Sequence, residues 1–170
     1  NPYYAGGGAH AIHATAKRLA ENHKVTVLCG SFSGSKDELR DNVIYKRVSF
    51  SVGHPKADQL LYHFSLPWHA FTEKFDLWIE SFTPPFSTAF LPWFTNKPVI
   101  GVTHLLGAKE MSKKYHLPFQ IVEKFGLRQY KHVIALSKYM EDQVKDLGTK
   151  AKIDIIANGL DSSVINRKFE

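Results

Sequence analysis

Three consecutive glycines, Gly6, Gly7 and Gly8, open the stretch "GGGAHAIHATAKRLAENHKVTVLCG". Glycine lets a backbone approach a ligand closely, and the free N–H groups at the start of a following helix favour phosphate. The same run also reads as a flexible turn. It departs from the dinucleotide fingerprint, because Ala9 and His10 follow Gly8 and no acidic residue ends "VTVLCG" to hold a ribose. A nicotinamide enzyme is therefore disfavoured. His10 and His13, three apart, could bring two imidazoles to one metal ion, but no third ligand is marked nearby. No metal site is assigned.

The other candidates fall at strand ends. Glu80 is read near the carboxyl end of "FDLWIE", where open α/β sheets place their ligands, with Asp76 at the opposite edge. A carboxylate there could accept hydrogen bonds from sugar hydroxyls; a solvated strand end is the alternative. His104 ends "VIGVTH" and is expected on the same rim. It could donate to a hydroxyl or a developing oxyanion, or be a buried structural histidine. Ser137 follows "HVIAL"; its preferred role is to cap the next helix, and its hydroxyl could also touch a ligand. Convergence of the glycine loop, Glu80 and His104 on one rim is the main argument for function.

Six strands and the helices between them must position these residues. Residues 9–22 read as a helix, with Ile12, Ala16, Leu19 and Ala20 on one face. Strands follow at 25–29 and 43–48, separated by a polar, turn-rich stretch. Residues 56–75 read as a helix kinked or broken at Pro67. After the strand at Glu80, residues 86–94 read as an interrupted helix. A fourth strand leads to His104, and residues 108–130 carry two helical pieces divided at Pro118. A fifth strand, a helix over 138–147 stopped by Gly148 and a strand in "AKIDIIANG" complete the pattern. Short strands that are apolar along their length, alternating with helices, indicate a Rossmann-like parallel sheet with helices on both faces. The first helix has no strand before it. A glycine turn opening a helix normally follows the central strand, so a first strand is expected upstream.

The bulk properties agree with one compact α/β domain. The chain has 170 residues, of which 44% are apolar, enough for a sizeable core. Its net charge of +6 favours anionic partners. A single cysteine, Cys29, excludes an internal disulfide and suits a reducing, cytoplasmic compartment. No apolar stretch approaches the roughly 20 residues that span a bilayer. The segment "KEMSKKYHLPFQIVEKFGLRQYKH" interleaves lysines with aromatics. It reads either as an ordinary helix pair or as a surface for anionic lipid, peripheral on the inner face of a membrane. No nucleic-acid motif is present, and nucleic acid is not expected as a partner.

The opening "PYYAGGGAHAIHATAKRLAENHKVTVL" resembles family-four glycosyltransferases of the GT-B fold. Asn22-His23 stands where Gly-His is usual. "FDLWIESFTPPF", "PVIGVTHLLG", "VIALSKYMEDQVKDLG" and "IIANGLDSSVIN" follow in the family's order. The resemblance implies two Rossmann-like domains with the active site between them. Residues 1–170 correspond to the N-terminal, acceptor-side domain, and the nucleotide-sugar-binding domain would follow. It implies transfer of a sugar from a nucleotide donor with retention of configuration, to a glycan or lipid-linked acceptor, with no cofactor or metal required. Gly7 and Gly8 match the loop facing the donor diphosphate, and His104 matches a histidine near the reacting sugar. Glu80 lies on a cleft strand where many relatives carry histidines. A GT-B-like sugar-nucleotide epimerase and a non-catalytic domain binding phosphorylated ligands or anionic membrane are the alternatives.

Overall fold

The computed structural model describes residues 6–83 and 87–159. Its elements are α1 (Gly7–Leu19), β1 (Val25–Gly30), β2 (Glu38–Arg40), β3 (Val43–Val48), α2 (Pro55–Thr72), β4 (Trp78–Phe82), a 3₁₀ turn (Leu91–Trp93) and β5 (Val99–Thr103). Then come α3 (Ala108–Tyr115), α4 (Phe119–Leu127), β6 (His132–Ala135), α5 (Lys138–Asp146) and β7 (Lys152–Ile155). The strands form two sheets, ordered β1-β3-β2 and β4-β5-β6-β7. Every pairing in the second is parallel, as is β1 with β3. The class is the expected α/β, Rossmann-like one.

Local chemistry explains where the elements start and stop. Pro118 separates α3 from α4, and His116 closes α3 in the left-handed region at φ 53°. Gly148, at φ 73°, ends α5. Pro67 lies inside α2, which continues across it without the expected break. The turn-rich stretch before β3 holds an unexpected strand, β2, antiparallel to β3. Asp41 and Asn42 connect them with φ of 51° and 60°, a two-residue hairpin turn that Asp and Asn tolerate.

The helix expected over 86–94 does not form among its described residues. Ser87 and Phe90 sit at φ 63° and 57°, and one 3₁₀ turn follows. Two backbone donors are committed elsewhere: Ala89 N–H to the Glu80 carboxylate and Phe90 N–H to the Thr88 hydroxyl. Side chains so placed outcompete a helical ladder.

Helix α2 joins the two sheets. The Tyr62 hydroxyl donates to the Leu28 carbonyl of β1 at 3.2 Å, and His63 Nε2 lies 3.3 Å from the Thr83 carbonyl beyond β4. Val48, Leu66, Ala70, Phe82, Leu91 and Val133 share one buried cluster that draws on both sheets. Among the described residues β1 and β4 each pair on one side only.

Packing of β5 on β4 is close. A Cβ on Gly101 would lie 2.2 Å from the ring of buried Phe82. Gly101→Ala is therefore expected to lower stability by about 1–3 kcal/mol, the usual cost of overpacking. At Gly8 a Cβ meets nothing described within 4 Å, so Gly8→Ala should leave stability unchanged or raise it. Thermal melts of the two variants check this; equal melting temperatures would contradict the packing.

Candidate functional site

Parallel pairing puts the carboxyl ends of the strands at one level. Gly30 pairs with Val48, Phe82 with Thr103, and Thr103 with Ala135. The contacts of Tyr62 and His63 tie Leu28 to Thr83 and so align the rims of the two sheets. Helix α1 runs against β3. Lys17 reaches Asp41, before β3 begins, at 3.2 Å, while His13 reaches Tyr45 further along it. Gly7 and Gly8 lie about one and a half turns before His13 on the same helix.

The start of α1 is electrostatically open. Gly6 is its cap, with extended backbone and no side-chain cap, and the first turn carries no acidic residue. The Gly6 carbonyl accepts from Ala9 and His10 at 3.0 and 3.4 Å. The N–H groups of Gly7 and Gly8 precede the first helical bond and have no intrahelical partner. Neither a positive φ nor packing demands glycine here, since a Cβ at any of the three positions meets no described atom within 4 Å.

His104 directly follows β5 and is half-buried. Burial pulls its pKa below the ordinary histidine value, so the ring is neutral at neutral pH. It can donate from one nitrogen and accept at the other. Ser137, two residues past β6, caps α5: its hydroxyl accepts from Met140 N–H at 3.2 Å. It is exposed at the same end of the sheet as His104. Asp76 precedes β4 and lies at the opposite end.

Glu80 is not on the rim. Strand β4 continues to Phe82, which makes Glu80 its central residue, 5% exposed. One carboxylate oxygen accepts from Ala89 N–H at 2.7 Å and the other from the Tyr130 hydroxyl. Burial pushes its pKa up to about 7, opposed by these hydrogen bonds and one from Thr88. Both oxygens are engaged in holding the segment after β4, so Glu80 presents none to a sugar. Glu123 on α4 plays a matching part. It is buried and accepts from the Ser87 hydroxyl, and burial raises its pKa.

His13, one half of the histidine pair, bonds the Tyr45 hydroxyl and sits 3.3 Å from Asp41. The lysine- and aromatic-rich segment becomes α3 and α4. Phe119 and Leu127 are buried in it, whereas Leu117 and Ile121 are 54% and 70% exposed. Among the described residues no helix is long and apolar enough to cross a membrane.

The pairs His63–Thr83, Tyr130–Glu80 and Ser87–Glu123 were not legible from spacing, because their partners lie 20 to 50 residues apart. One signal was available. A carboxylate inside the apolar strand "LWIESF" must find partners when buried.

A model of the family described as Glycosyltransferase Family 4 matches residues 5–164. A search among curated proteins finds no match.

The Glu80 environment makes a pH prediction. Its pKa is raised from 4.5 to about 7 in the fold, so folded protein holds this proton more tightly than unfolded chain. The associated stability is fully present below 4.5 and is lost as pH rises through about 7. Urea unfolding across this range should show stability declining with pH in the native protein and a flatter profile in Glu80→Gln. Superimposable slopes would rule out a titrating Glu80.

Proposed function

The chain belongs to glycosyltransferase family 4, and on that premise we propose that it forms the acceptor-side half of a retaining hexosyltransferase using a nucleotide-sugar donor. The observation that carries this reading is the uncapped, carboxylate-free start of α1 at the glycine run. A departing nucleoside diphosphate develops negative charge. Fixed amide dipoles at Gly7 and Gly8 stabilise that charge without reorganisation, and the helix dipole adds to them. A Cβ at either position would stand between amide and phosphate.

His104 supplies a neutral hydrogen-bonding ring on the rim, suited to a hydroxyl of the transferred sugar or to orienting the acceptor. In this reading the leaving phosphate takes the acceptor proton. It calls on neither a carboxylate nucleophile nor a metal ion, and Glu80 has a structural task instead. Ser137 shapes the rim through α5. The excess of positive charge supports a glycan or lipid-linked acceptor handled near an anionic membrane surface, at the cytoplasmic face.

The test is acceptor-dependent release of nucleoside diphosphate by the full-length protein, with the product's anomeric configuration read by NMR. Retention is expected, and residues 1–170 alone should release none. Gly7→Asp, which sets a carboxylate against the diphosphate, and His104→Ala should each lower kcat by about 10²-fold, the usual loss on removing such a stabilising contact. The acid limb of the rate profile should lie below pH 6.5, where His104 protonates, and disappear in His104→Ala. An inverted product, or full activity in Gly7→Asp, would refute the reading. Epimerised donor without transfer would instead support the epimerase alternative.

A further inference from the structure

Helix α1 is tied to the β2–β3 hairpin by one side chain that faces two partners. His13 Nδ1 bonds the Tyr45 hydroxyl, and its Nε2 lies 3.3 Å from an Asp41 carboxylate oxygen. Both partners are anchored. Tyr45 is buried, and its strand position is paired on both sides, with Val27 of β1 and Glu38 of β2. The Arg40 guanidinium lies 5.0 Å over its ring. Asp41 sits in the hairpin turn at φ 51°. The hairpin that local pattern did not foretell thus brings Asp41 and Tyr45 to one imidazole.

The other ties of α1 fix its direction poorly. Among the described residues Ala16 is its one buried position, clustered with Val43 and Tyr45. Apolar burial attracts the helix but does not set its angle, because it is not directional. Lys17 adds an ion pair to Asp41 at 3.2 Å, yet its side chain is 59% exposed, and exposed pairs of this kind contribute little. From Gly7 to Ile12 no side chain makes a hydrogen bond or ion pair among the described residues. His13 is therefore the last directional side-chain contact before the glycine run. Gly7 stands about 13 Å from Ala16 along the axis, so a tilt of about 10° about Ala16 would carry it by about 2 Å. Misplacement by about 1 Å can lower a rate about 10²-fold.

We propose that His13, held between Tyr45 and Asp41, is a positioning residue that sets the direction of the Gly7 and Gly8 amides toward the donor diphosphate. It touches no reacting atom and acts through the axis of α1. An imidazole suits this task, since it is rigid and carries a polar nitrogen on each of two edges. The ligand in this inference, a nucleoside diphosphate group, rests on the sugar-transfer reading; the tie between α1 and the hairpin rests on the contacts of His13 alone.

The test compares native full-length protein with His13→Ala, which removes both contacts, and with Tyr45→Phe, which removes one and keeps the buried ring. Hydrogen exchange by mass spectrometry over peptides of α1 should speed at least about ten-fold in His13→Ala, with α5 unchanged. Local propensity alone gives the opposite sign, because alanine is the better helix former. Measured well below each melting temperature, kcat should fall at least about ten-fold in His13→Ala. The donor KM should move less than kcat, since the charge those amides meet develops in the transition state. Tyr45→Phe should follow in both readouts by a smaller factor. The deciding comparison is a double-mutant cycle with Gly7→Asp, in which background His13→Ala should lower kcat less than about two-fold, because the amides it aims are already opposed. An equal loss in both backgrounds would make His13 a structural residue only and overturn the proposal. So would unchanged exchange or full kcat in His13→Ala and Tyr45→Phe. Failure of the sugar-transfer reading looks different: the native protein itself would release no nucleoside diphosphate, and the positioning role would fall with it.

Discussion

Two adjacent side chains of α2 hold the sheets at a common height, and every statement about a shared rim depends on them. Burial of apolar surface attracts α2 to both sheets but is not directional, so it alone would permit sliding. The Tyr62 hydroxyl on the Leu28 carbonyl and the His63 ring beside Thr83 supply direction. Burial raises the Tyr62 pKa and lowers that of His63, so both are neutral. The His63 Nδ1 lies 3.0 Å from the Gln59 carbonyl, and Nε2 lies 3.3 Å from both the carbonyl and the hydroxyl of Thr83.

Buried carboxylates do a second job of alignment. Of the described residues between β4 and the 3₁₀ turn, Ser87 and Phe90 are left-handed. Glu80 holds this stretch from β4 and Glu123 from α4, while Tyr130 bonds Glu80 and Thr88 together. Such polar anchors in a low-dielectric interior are costly unless all partners are present. Here they fix residues beside β5, the strand that precedes His104. Carboxylates that resemble acid–base candidates in sequence thus serve to position the rim.

The aromatics sort into two groups with different energetics. Phe90, Trp93 and Phe125 pack against one another, with ring centroids 5.3 Å apart for Phe90–Trp93 and for Trp93–Phe125. Phe82 and Tyr130 meet edge to face in the core. Trp68 and Phe71 are mostly exposed instead. The segment whose composition suggested a lipid surface, α3 with α4, buries Phe119 and Leu127 in the core and exposes Leu117, Ile121 and Phe125 beside its lysines.

The class of fold, the strand–helix alternation, the division at Pro118, the stop at Gly148 and the glycine run opening α1 were legible in the chain itself, because each rests on local propensity or short-range periodicity. So was His104 at a strand end, since "VIGVT" marks its strand from within. Glu80 was misplaced because strand limits are weakly encoded: two more residues of β4 turn an end into a middle. The hairpin at Asp41-Asn42, the missing helix after residue 86 and the continuity of α2 through Pro67 were decided by tertiary structure. Each depends on which distant group claims a hydrogen bond or which face another element covers. Those choices are settled by contacts between residues far apart in sequence, about which local pattern carries no information.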